Sequence, residues 1–376
     1  MKGKSDSIYW FRVVLLSFAV VCCAAVGAWS QVVLRVGPGQ QYATIQSAVD
    51  AARTGDAILV YPSTYKESVS VNKNGLKLVA QGDGVTVGPP PARGKACFEV
   101  RADGIVIQGF NLTGTNCAAA IDFVGSDNRF SGNHIFGLTC PGVNALACRA
   151  PNGGSDFNVI ENNDVTQADL GIVVGSDSQT AINKGNIIIG NHVYGVGTVG
   201  VVVYNGTGCT VAGNVIEGIP FGLGISIIAE NNVLQSGHVV TGNKISNTAE
   251  GGVGVFADQT ASLSKVTVSY NDIVSPGGFG IVLQKDSGAN LAYNVISGNC
   301  VSKADAVGII VDTGANNNKL DSNLVFDNVL YGIQVKGNHN KITSNTALGN
   351  NTYDLIDNGK GNRWKDNVYE TCSWCK

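Results

Sequence analysis

Short segments in which apolar and polar residues alternate follow one another along most of the chain, separated by glycine and asparagine. The clearest are six-residue segments that begin and end with Asn, as at residues 128–133, 186–191, 318–323 and 340–345. Period-two alternation predicts short β-strands, because successive side chains of a strand point to opposite faces. The closing Asn recurs about every 26 residues, at positions 133, 163, 191, 214, 243, 271, 294, 323, 345 and 367.

Two apolar columns accompany this repeat. An apolar residue stands three positions before each closing Asn, and in most repeats another stands two positions after it. A further strand has the outline Gly-Ile-x-Val and begins at Gly171, Gly200, Gly224, Gly280, Gly308 and Gly332. Three strands per repeat, joined by Gly/Asn turns, predict an all-β parallel β-helix solenoid. We expect the recurring asparagines to stack about 4.8 Å apart as an internal ladder without chemistry.

The first part of the chain follows a different pattern. Ile45, Ala48, Val49 and Ala52 have helical spacing behind Thr44, which predicts a short amphipathic helix over residues 44–53. A solenoid needs its open end covered, and this helix is the candidate cap. Because no Pro/Ser-rich linker interrupts residues 55–370, we predict one domain, with the cap at 31–56 and the β-helix with a C-terminal cap at 57–376.

Residues 13–28 are apolar and uncharged, and they follow Lys2, Lys4 and Arg12. This arrangement is typical of a secretory signal peptide, here residues 1–30 with cleavage before Gln31. The alternative is an uncleaved anchor, but the apolar run is shorter than the ~20 residues that a spanning helix needs. The expected location is therefore outside the cell, at the cell wall, with no membrane contact after cleavage.

Composition narrows the possible classes. Charged residues are 14% of the chain, Gly occurs 49 times and Met once, which excludes a helical bundle or coiled coil. The net charge of −3 becomes −5 without residues 1–30, which hold three basic residues and one acidic residue. Nucleic acid is therefore not an expected partner, because the basic footprint is missing. A polyanionic substrate would require a local basic patch or a bridging cation such as Ca²⁺.

Eight cysteines follow the predicted signal peptide, and an even number in a secreted chain favours disulfides. The local pairs Cys97–Cys117 and Cys140–Cys148 are candidates. The Cys372-x-x-Cys375 spacing also fits a metal knuckle or a redox pair, although no second such pair completes a zinc site. Three N-glycosylation sequons begin at Asn111, Asn205 and Asn350.

The opening of the chain resembles the pectin lyase-like right-handed parallel β-helix superfamily. The resemblance rests on residues 42–49, 56–60, 65–69, 76–78 and 82–84. It implies a right-handed solenoid, predicted here with about ten or eleven coils. The catalytic signatures of the superfamily's methylesterases, polygalacturonases and mannuronan epimerases are absent from the sequence, so the resemblance implies no particular reaction.

The resemblance also implies an orientation. In this superfamily the Asn ladder lies between the second and third sheets, and the outer face of the first sheet carries the active site. The Gly-Ile-x-Val strands correspond to that first sheet. Its outward positions near the N-terminal end are predicted to bring together Glu99, Arg101, Asp122 and Arg149, where arginine can bind a uronate and a carboxylate can act as base or bind a cation. The alternative is a solvated row of ion pairs.

A second predicted patch lies further along the same face and comprises Tyr204, Asp258, Gln284, Asp312 and Lys336. Asp258 and Asp312 would lie two coils apart, about 9.6 Å, which is near the separation of acid and base in inverting glycosidases. The alternative is that Asp312 and Lys336 neutralise each other. An apolar outward run is also predicted: Val173, Val202, Phe256, Val282 and Ile310. Such a strip is expected to be covered by the chain's own loops, by the apolar face of a sugar or by a partner.

A third row has His134, Asp164 and His192 after successive ladder asparagines. Imidazole and carboxylate groups are common metal ligands. We nevertheless expect this row to be solvated surface, and the sequence assigns no metal site.

The sequence thus predicts a secreted, monomeric, carbohydrate-active β-helix protein that acts on a uronate-rich cell-wall polysaccharide by lyase, epimerase or hydrolase chemistry. Asp122, Arg149, Arg101, Glu99, Asp258 and Asp312 are the candidate catalytic residues. Tyr204, Gln284, Lys336 and Phe256 are the candidate substrate-binding residues. The alternative is a non-catalytic extracellular protein that binds a glycan or a protein.

Overall fold

Successive strands of each sheet come from successive coils of the chain, and every strand pair is parallel. The computed structural model describes residues 31–89, 94–115, 118–138, 144–148, 154–175, 182–231 and 233–375. The predicted signal peptide and Arg149 lie outside these residues. From Val33 onwards the described chain forms one compact unit.

Three large sheets form the solenoid. Sheet A has fourteen strands: Val33–Val36, Ala57–Val60, Lys77–Ala80, Val106–Gln108, Arg129–Ser131, Val159–Glu161, Ile187–Ile189, Thr210–Ala212, Val239–Thr241, Thr267–Ser269, Val295–Ser297, Lys319–Asp321, Lys341–Thr343 and Arg363–Lys365. Sheet B has twelve strands: Ser63–Tyr65, Val85–Val87, Asn111–Gly114, His134–Leu138, Asp164–Thr166, His192–Tyr194, Val215–Ile219, Lys244–Thr248, Asp272–Val274, Cys300–Ser302, Leu324–Phe326 and Thr346–Leu348.

Sheet C also has twelve strands and contains the Gly-Ile-x-Val segments: Val69–Val71, Ala96–Arg101, Ala119–Val124, Asn144–Cys148, Leu170–Gly175, Val199–Tyr204, Leu223–Ala229, Gly251–Ala257, Phe279–Lys285, Val307–Val311, Tyr331–Val335 and Tyr353–Asp357. Two small sheets lie between sheets C and A: Asn183–Lys184 with Gly206–Thr207, and Leu234–Ser236 with Ser262–Ser264 and Asn290–Ala292. The predicted all-β solenoid is confirmed, and the described part has about twelve coils rather than ten or eleven.

The core is a stack of apolar side chains from the inner faces of the sheets. In sheet A one inward column is fully buried: Phe130, Ile160, Ile188, Val211, Val240, Val268, Ile296, Leu320 and Ile342. Each such side chain contributes about 1.5–3 kcal/mol relative to exposure. The period-two alternation is therefore what closes the chain into a coil.

Buried asparagines form hydrogen-bonded ladders at the corners. At the corner between sheets A and B, Asn243 Nδ2 donates to Asn271 Oδ1 (2.9 Å) and Asn271 Nδ2 donates to Asn299 Oδ1 (2.9 Å). The prediction that Asn294 belongs to this ladder is wrong, because the ladder residue is Asn299, five positions later. Asn294 lies at the other end of the same sheet A strand, where its Nδ2 donates to Asn318 Oδ1 (3.1 Å) in a second ladder.

The residue before each ladder asparagine turns the chain with positive φ. Gly190 (φ 65°) and Gly242 (φ 63°) precede Asn191 and Asn243. Glycine adopts this conformation without the strain that a Cβ brings. The abundance of Gly in the sequence follows in part from these corners.

The N-terminal helix is Ile45–Ala51, with Thr44 as its N-cap. Ile45, Ala48 and Val49 are buried, as their spacing predicted. Glu67 accepts hydrogen bonds from the Ile45 and Gln46 amides (both 2.9 Å).

Near the C-terminus, Cys372 and Cys375 form a disulfide. The partners Cys117 and Cys140 of the two local pairs lie outside the described residues, and Cys148 is a buried thiol. Burial raises the pKa of Cys148 to about 11. In the described part of the chain, no helix is long and apolar enough to cross a membrane.

Candidate functional site

The outward side chains of sheet C form the surface that we call the sheet C face. The register places Glu99, Asp122, Ala147, Val173, Val202 and Ser226 in one column on successive coils. A second column, two residues further along each strand, contains Tyr204, Ile228, Phe256 and Gln284. The sequence-derived orientation of these strands is therefore correct over most of the face.

The N-terminal patch is an ion-paired surface. Arg101 Nη2 donates to Asp122 Oδ2 (2.8 Å), and Arg101 Nη1 donates to the Asp122 carbonyl oxygen (3.0 Å). Lys95 Nζ lies 3.6 Å from Glu99 Oε1. Arg101 thus already binds a carboxylate of the chain with its guanidinium. Arg149 lies outside the described residues.

Asp258 does not lie in the predicted column. Val253, not Val255, is the register partner of Ile225 and Ile281, so Gly254 follows Ser226 and Phe256 lies beside Ile228 and Gln284. The strand reads Gly-Gly-Val-Gly-Val-Phe-Ala and contains two Gly-Val pairs, of which only the first, at Gly252, is followed by a Val at the fourth position of the Gly-Ile-x-Val outline. Asp258 consequently lies just beyond the end of the strand, two residues past the column. It therefore does not share a row with Asp312, as the sequence predicted.

The coil position of Asp258 is shared by other acids. The Asp258 amide donates to the Ala229 carbonyl (2.8 Å), and the Asp286 amide donates to the Ala257 carbonyl (2.9 Å). Glu230, Asp258 and Asp286 thus occupy equivalent positions on three successive coils. Glu230 and Asp286 are not among the residues predicted from sequence, because each directly follows the end of its strand and lies beyond the two outward columns.

Asp258 has an altered acidity. Burial, together with the neighbouring Asp286 carboxylate, raises the pKa of Asp258 above its usual value. Asp286 Oδ2 accepts a hydrogen bond from the Gln259 amide (3.1 Å), which anchors it in the turn. Two adjacent carboxylates, one of them with a raised pKa, are the arrangement from which acid and base roles separate.

The second column continues past Gln284. The Asp312 amide donates to the Leu283 carbonyl (2.9 Å), and the Lys336 amide donates to the Val311 carbonyl (2.8 Å). These bonds place both residues in the column of Tyr204 and Gln284. Lys336 Nζ lies 3.3 Å from Asp312 Oδ1, so the predicted neutralisation of these two charges is present. We call Tyr204, Phe256, Gln284, Asp312 and Lys336 the edge row.

The apolar strip is less exposed than the sequence suggests. Val202 and Val282 are 1% and 3% exposed, although they point outward. Phe256, Val173 and Ile310 are half-buried. A Cβ at Gly254 would collide with the Phe256 ring, which therefore lies back over this glycine. The ring of Phe256 covers the position in the first column at which Gly254 has no side chain. It thereby connects the apolar strip with the edge row.

The histidine row lies on the outer face of sheet B. His134 Nε2 lies 3.6 Å from Asp164 Oδ2, and His192 Nδ1 lies 3.2 Å from Asp164 Oδ1. His192 Nε2 lies 3.1 Å from Glu217 Oε1. Among the described residues, no three His, Cys, Asp or Glu side chains are arranged to hold a metal ion.

A separate cleft of about 470 Å³ lies at the N-terminal end of the solenoid. Its lining includes the Gly37–Gly39 loop, Thr44, Lys66 and Glu67. Since Glu67 is already engaged by the helix amides, this cleft lacks a free acid at that position.

Comparison with known proteins agrees with this architecture. The family model described as the right handed beta helix region matches residues 116–294 and, overlapping, 171–352. These matches cover more than half of the chain, which therefore belongs to the right-handed β-helix family. It is a right-handed parallel β-helix protein. No curated protein sequence matches the chain.

Several solved structures share the fold. The catalytic unit of a GH87 α-1,3-glucanase from Streptomyces thermodiastaticus strain HF3-3 has a TM-score of 0.69 at 17% identity, over 88% of this chain and 67% of that one. A mutant of the periplasmic alginate epimerase AlgG has a TM-score of 0.56 at 16% identity, over 83% and 77%. XylC in complex with xylose has a TM-score of 0.58 at 12% identity, over 89% and 86%. At these identities the likeness concerns the fold alone.

Proposed function

We propose that the sheet C face binds a polysaccharide and that Asp258 and Asp286 hydrolyse its glycosidic bonds. The observation that carries this proposal is the pair of carboxylates on consecutive coils, of which Asp258 has a raised pKa. The pair lies just beyond the strands that carry Phe256 and Gln284. Carboxylate pairs with divided acid and base roles are the usual catalysts of glycoside hydrolysis.

The raised pKa of Asp258 assigns it the role of the acid. Asp258, protonated, donates its proton to the glycosidic oxygen as the bond from that oxygen to the anomeric carbon breaks. Adjacent coils lie about 4.8 Å apart, close to the roughly 5–5.5 Å between the two carboxyl groups of retaining glycosidases. Asp286 therefore attacks the anomeric carbon as that bond breaks and forms a glycosyl ester with it. Asp258, now a carboxylate, then takes a proton from water, whose oxygen bonds to the anomeric carbon and releases Asp286, so Asp258 is reprotonated and one water is consumed per bond.

The edge row supplies binding groups beside this pair. The half-buried ring of Phe256 offers an apolar face to the C–H face of a sugar, while Tyr204 and Gln284 offer hydrogen bonds to hydroxyl groups. Apolar surface with a few placed polar groups is the general composition of a small-molecule site.

The substrate class follows from the charges. Arg101 and Lys336 each hold a carboxylate of the chain itself, so a uronate would have to displace Asp122 or Asp312. This favours a neutral cell-wall glycan over the uronate-rich substrate that the sequence predicts. The named activities of the fold neighbours, an α-1,3-glucanase and an alginate epimerase, include both kinds of substrate. Secretion through residues 1–30 would place the protein at such a wall, where we expect it to act as a monomer.

The second candidate is a non-catalytic glycan- or protein-binding β-helix. It is favoured by the half-buried apolar strip and by the absence of the family's catalytic signatures from the sequence. The two candidates differ in product formation and not in binding.

A substrate panel separates these possibilities. Purified protein is incubated with α-1,3-glucan, xylan, polygalacturonate and alginate, with Ca²⁺ and with chelator. We expect new reducing ends from a neutral glycan without ultraviolet absorbance from unsaturated sugars. Unsaturated ends from a uronate would overturn the hydrolase assignment in favour of a lyase, and retained binding without any product would favour the binding protein.

A further inference from the structure

We propose that Asn111 carries an N-linked glycan and that neither Asn205 nor Asn350 does so in the folded protein. The sequence contains three Asn-x-Thr sequons, at residues 111–113, 205–207 and 350–352. A sequon is an acceptor only where its asparagine can bear a bulky solvated sugar. The structure distinguishes the three by burial and by the hydrogen bonds of each side chain.

Asn205 has no room for a sugar. It is 0% exposed and has a φ of 43°. Its Oδ1 accepts hydrogen bonds from the Glu230 amide (2.9 Å) and from Gln235 Nε2 (2.8 Å). A glycan on this amide would have to be buried in the solenoid wall, where its hydroxyl groups would lose water without gaining partners.

Asn350 belongs to a ladder. It is 6% exposed, and its Nδ2 donates to Asp354 Oδ1 (2.8 Å) and to the Leu348 carbonyl (3.3 Å). Its Oδ1 accepts from Asn328 Nδ2 (2.8 Å). Because a glycosylated amide keeps one N–H, it cannot make both donations.

Asn111 is placed differently. It begins the sheet B strand Asn111–Gly114, in which Leu112 is fully buried, so alternation directs Asn111 to the outer face. The register places it between Thr86 and His134, and the His134 side chain is 44% exposed. Asn111 is itself partly exposed, and no hydrogen bond to its side chain is present among the described residues.

The modification transfers an oligosaccharide from a lipid-linked diphosphate donor to Asn111 Nδ2. The bond from sugar C1 to Nδ2 forms, the bond from C1 to the phosphate oxygen breaks, and Nδ2 loses one proton. Transfer precedes folding, so chains modified at Asn205 or Asn350 cannot complete the hydrogen bonds described above. The glycan on Asn111 stands on sheet B beside His134 and leaves the sheet C face open.

Threonine variants test this without touching the buried asparagines. The full-length chain is produced in a eukaryotic secretory host, and secreted and membrane-retained protein are compared before and after peptide N-glycosidase treatment and by glycopeptide mass spectrometry. We expect one glycan at Asn111, lost in Thr113→Ala and in Asn111→Gln. The matched variants Thr207→Ala and Thr352→Ala should retain it.

Two results would overturn the inference: unmodified Asn111 in both fractions, or a glycan on Asn205 or Asn350 in protein that resists proteolysis. Neither result bears on the polysaccharide site, because Asn111 and the sheet C face are on different sheets. Conversely, an inactive but glycosylated protein would contradict the proposed hydrolysis alone.

Discussion

Asp258 and Asp286 occupy equivalent positions on consecutive coils, joined by a hydrogen bond from the Asp286 amide to the carbonyl of Ala257, the residue before Asp258. The Asp286 carboxylate is one of the two causes of the raised pKa of Asp258, after burial. A raised pKa keeps a carboxyl group protonated at higher pH. In the proposed mechanism, burial and the Asp286 carboxylate together extend to higher pH the range in which Asp258 can act as the acid.

We predict that Asp286→Asn lowers the pKa of Asp258. Removing the neighbouring negative charge makes ionisation of Asp258 easier, so the protonated form disappears earlier as pH rises. Because Asp286 is itself a proposed catalytic residue, the measurement is an NMR titration of the Asp258 carboxyl group in wild type and variant, and not a rate. Asp272→Asn on the outer face of sheet B is the matched control, and an equal pKa of Asp258 in the Asp286 and control variants would contradict the assignment.

Phe256→Ala is predicted to weaken polysaccharide binding, because the substituted side chain no longer offers an aromatic face to a sugar. An aromatic contact is worth about 0.5–1.5 kcal/mol beyond its buried area, which corresponds to a rise in Kd of about two- to twelve-fold. Calorimetric titration with the polysaccharide measures the change. Phe256→Tyr should restore affinity, and Phe136→Ala on sheet B should not alter it. Equal affinity in wild type and Phe256→Ala would place the glycan elsewhere.

Asn243→Ala should destabilise the solenoid without altering its chemistry. Asn243 Nδ2 donates to the Val211 carbonyl (3.0 Å) and to Asn271 Oδ1 (2.9 Å), and its Oδ1 accepts from the Asn214 amide (3.0 Å). Leaving such buried partners unsatisfied costs about 1–3 kcal/mol each. Denaturant unfolding gives the change in free energy.

The control for this prediction is Asn290→Ala. Asn290 is exposed, and its Nδ2 donates to Ser262 Oγ (3.0 Å) at the surface. We expect a change within about 0.5 kcal/mol, as for most surface substitutions. Equal losses for Asn243 and Asn290 would contradict the special role of the ladder.

We predict that acid destabilises the C-terminal coil because it protonates Asp354. Burial raises the pKa of Asp354, but hydrogen bonds from Asn350 and from the Glu370 and Thr371 amides outweigh this effect and hold the pKa below its usual value. The resulting stabilisation is present above the unfolded-state pKa of about 3.9 and is lost as pH falls through the lower folded-state pKa.

Asp354→Asn tests this linkage. We expect the free energy of unfolding of the variant to fall furthest below wild type near neutral pH, and the difference to shrink as the medium is acidified. Denaturant melts over a series of pH values measure the two curves. A constant difference at all pH values would show that the ionised carboxylate does not contribute.

Alanine variants of His134, Asp164 and His192 should change neither hydrolysis nor thermal stability appreciably. Their ion pairs are exposed, and such pairs contribute about 0–1 kcal/mol. Activity and melting temperature are measured together. Loss of activity in these variants, reproduced in wild type by a chelator, would instead establish a metal site on sheet B.

The sequence was sufficient to predict the class of fold because the solenoid is specified by local repetition. Apolar residues at fixed distances from each Asn define the inward columns, and the helical spacing of Ile45, Ala48 and Val49 predicts the helix. Each of these signals spans only a few residues. Their physical cause, burial of one face, acts at the same place in every coil.

Register within a coil was harder to predict where the sequence offers two choices. Asn294 and Asn299 both satisfy the Asn pattern, and hydrogen bonding to Asn271 selects Asn299. In the strand Gly251–Ala257, both Gly252 and Gly254 precede a valine, and pairing with both neighbouring strands selects Gly252 as the start of the motif. The pairing of Asp258 with Asp286 depends on that choice, which is why the sequence alone did not predict it.

The central claim is that Asp258 protonates the glycosidic oxygen, and the turnover rate of Asp258→Asn on the glycan cleaved by wild type tests it most directly. An amide cannot supply that proton, so kcat should fall by about 10²-fold or more. The melting temperature and the affinity for the glycan should stay close to wild type. Wild-type turnover by Asp258→Asn would contradict the account.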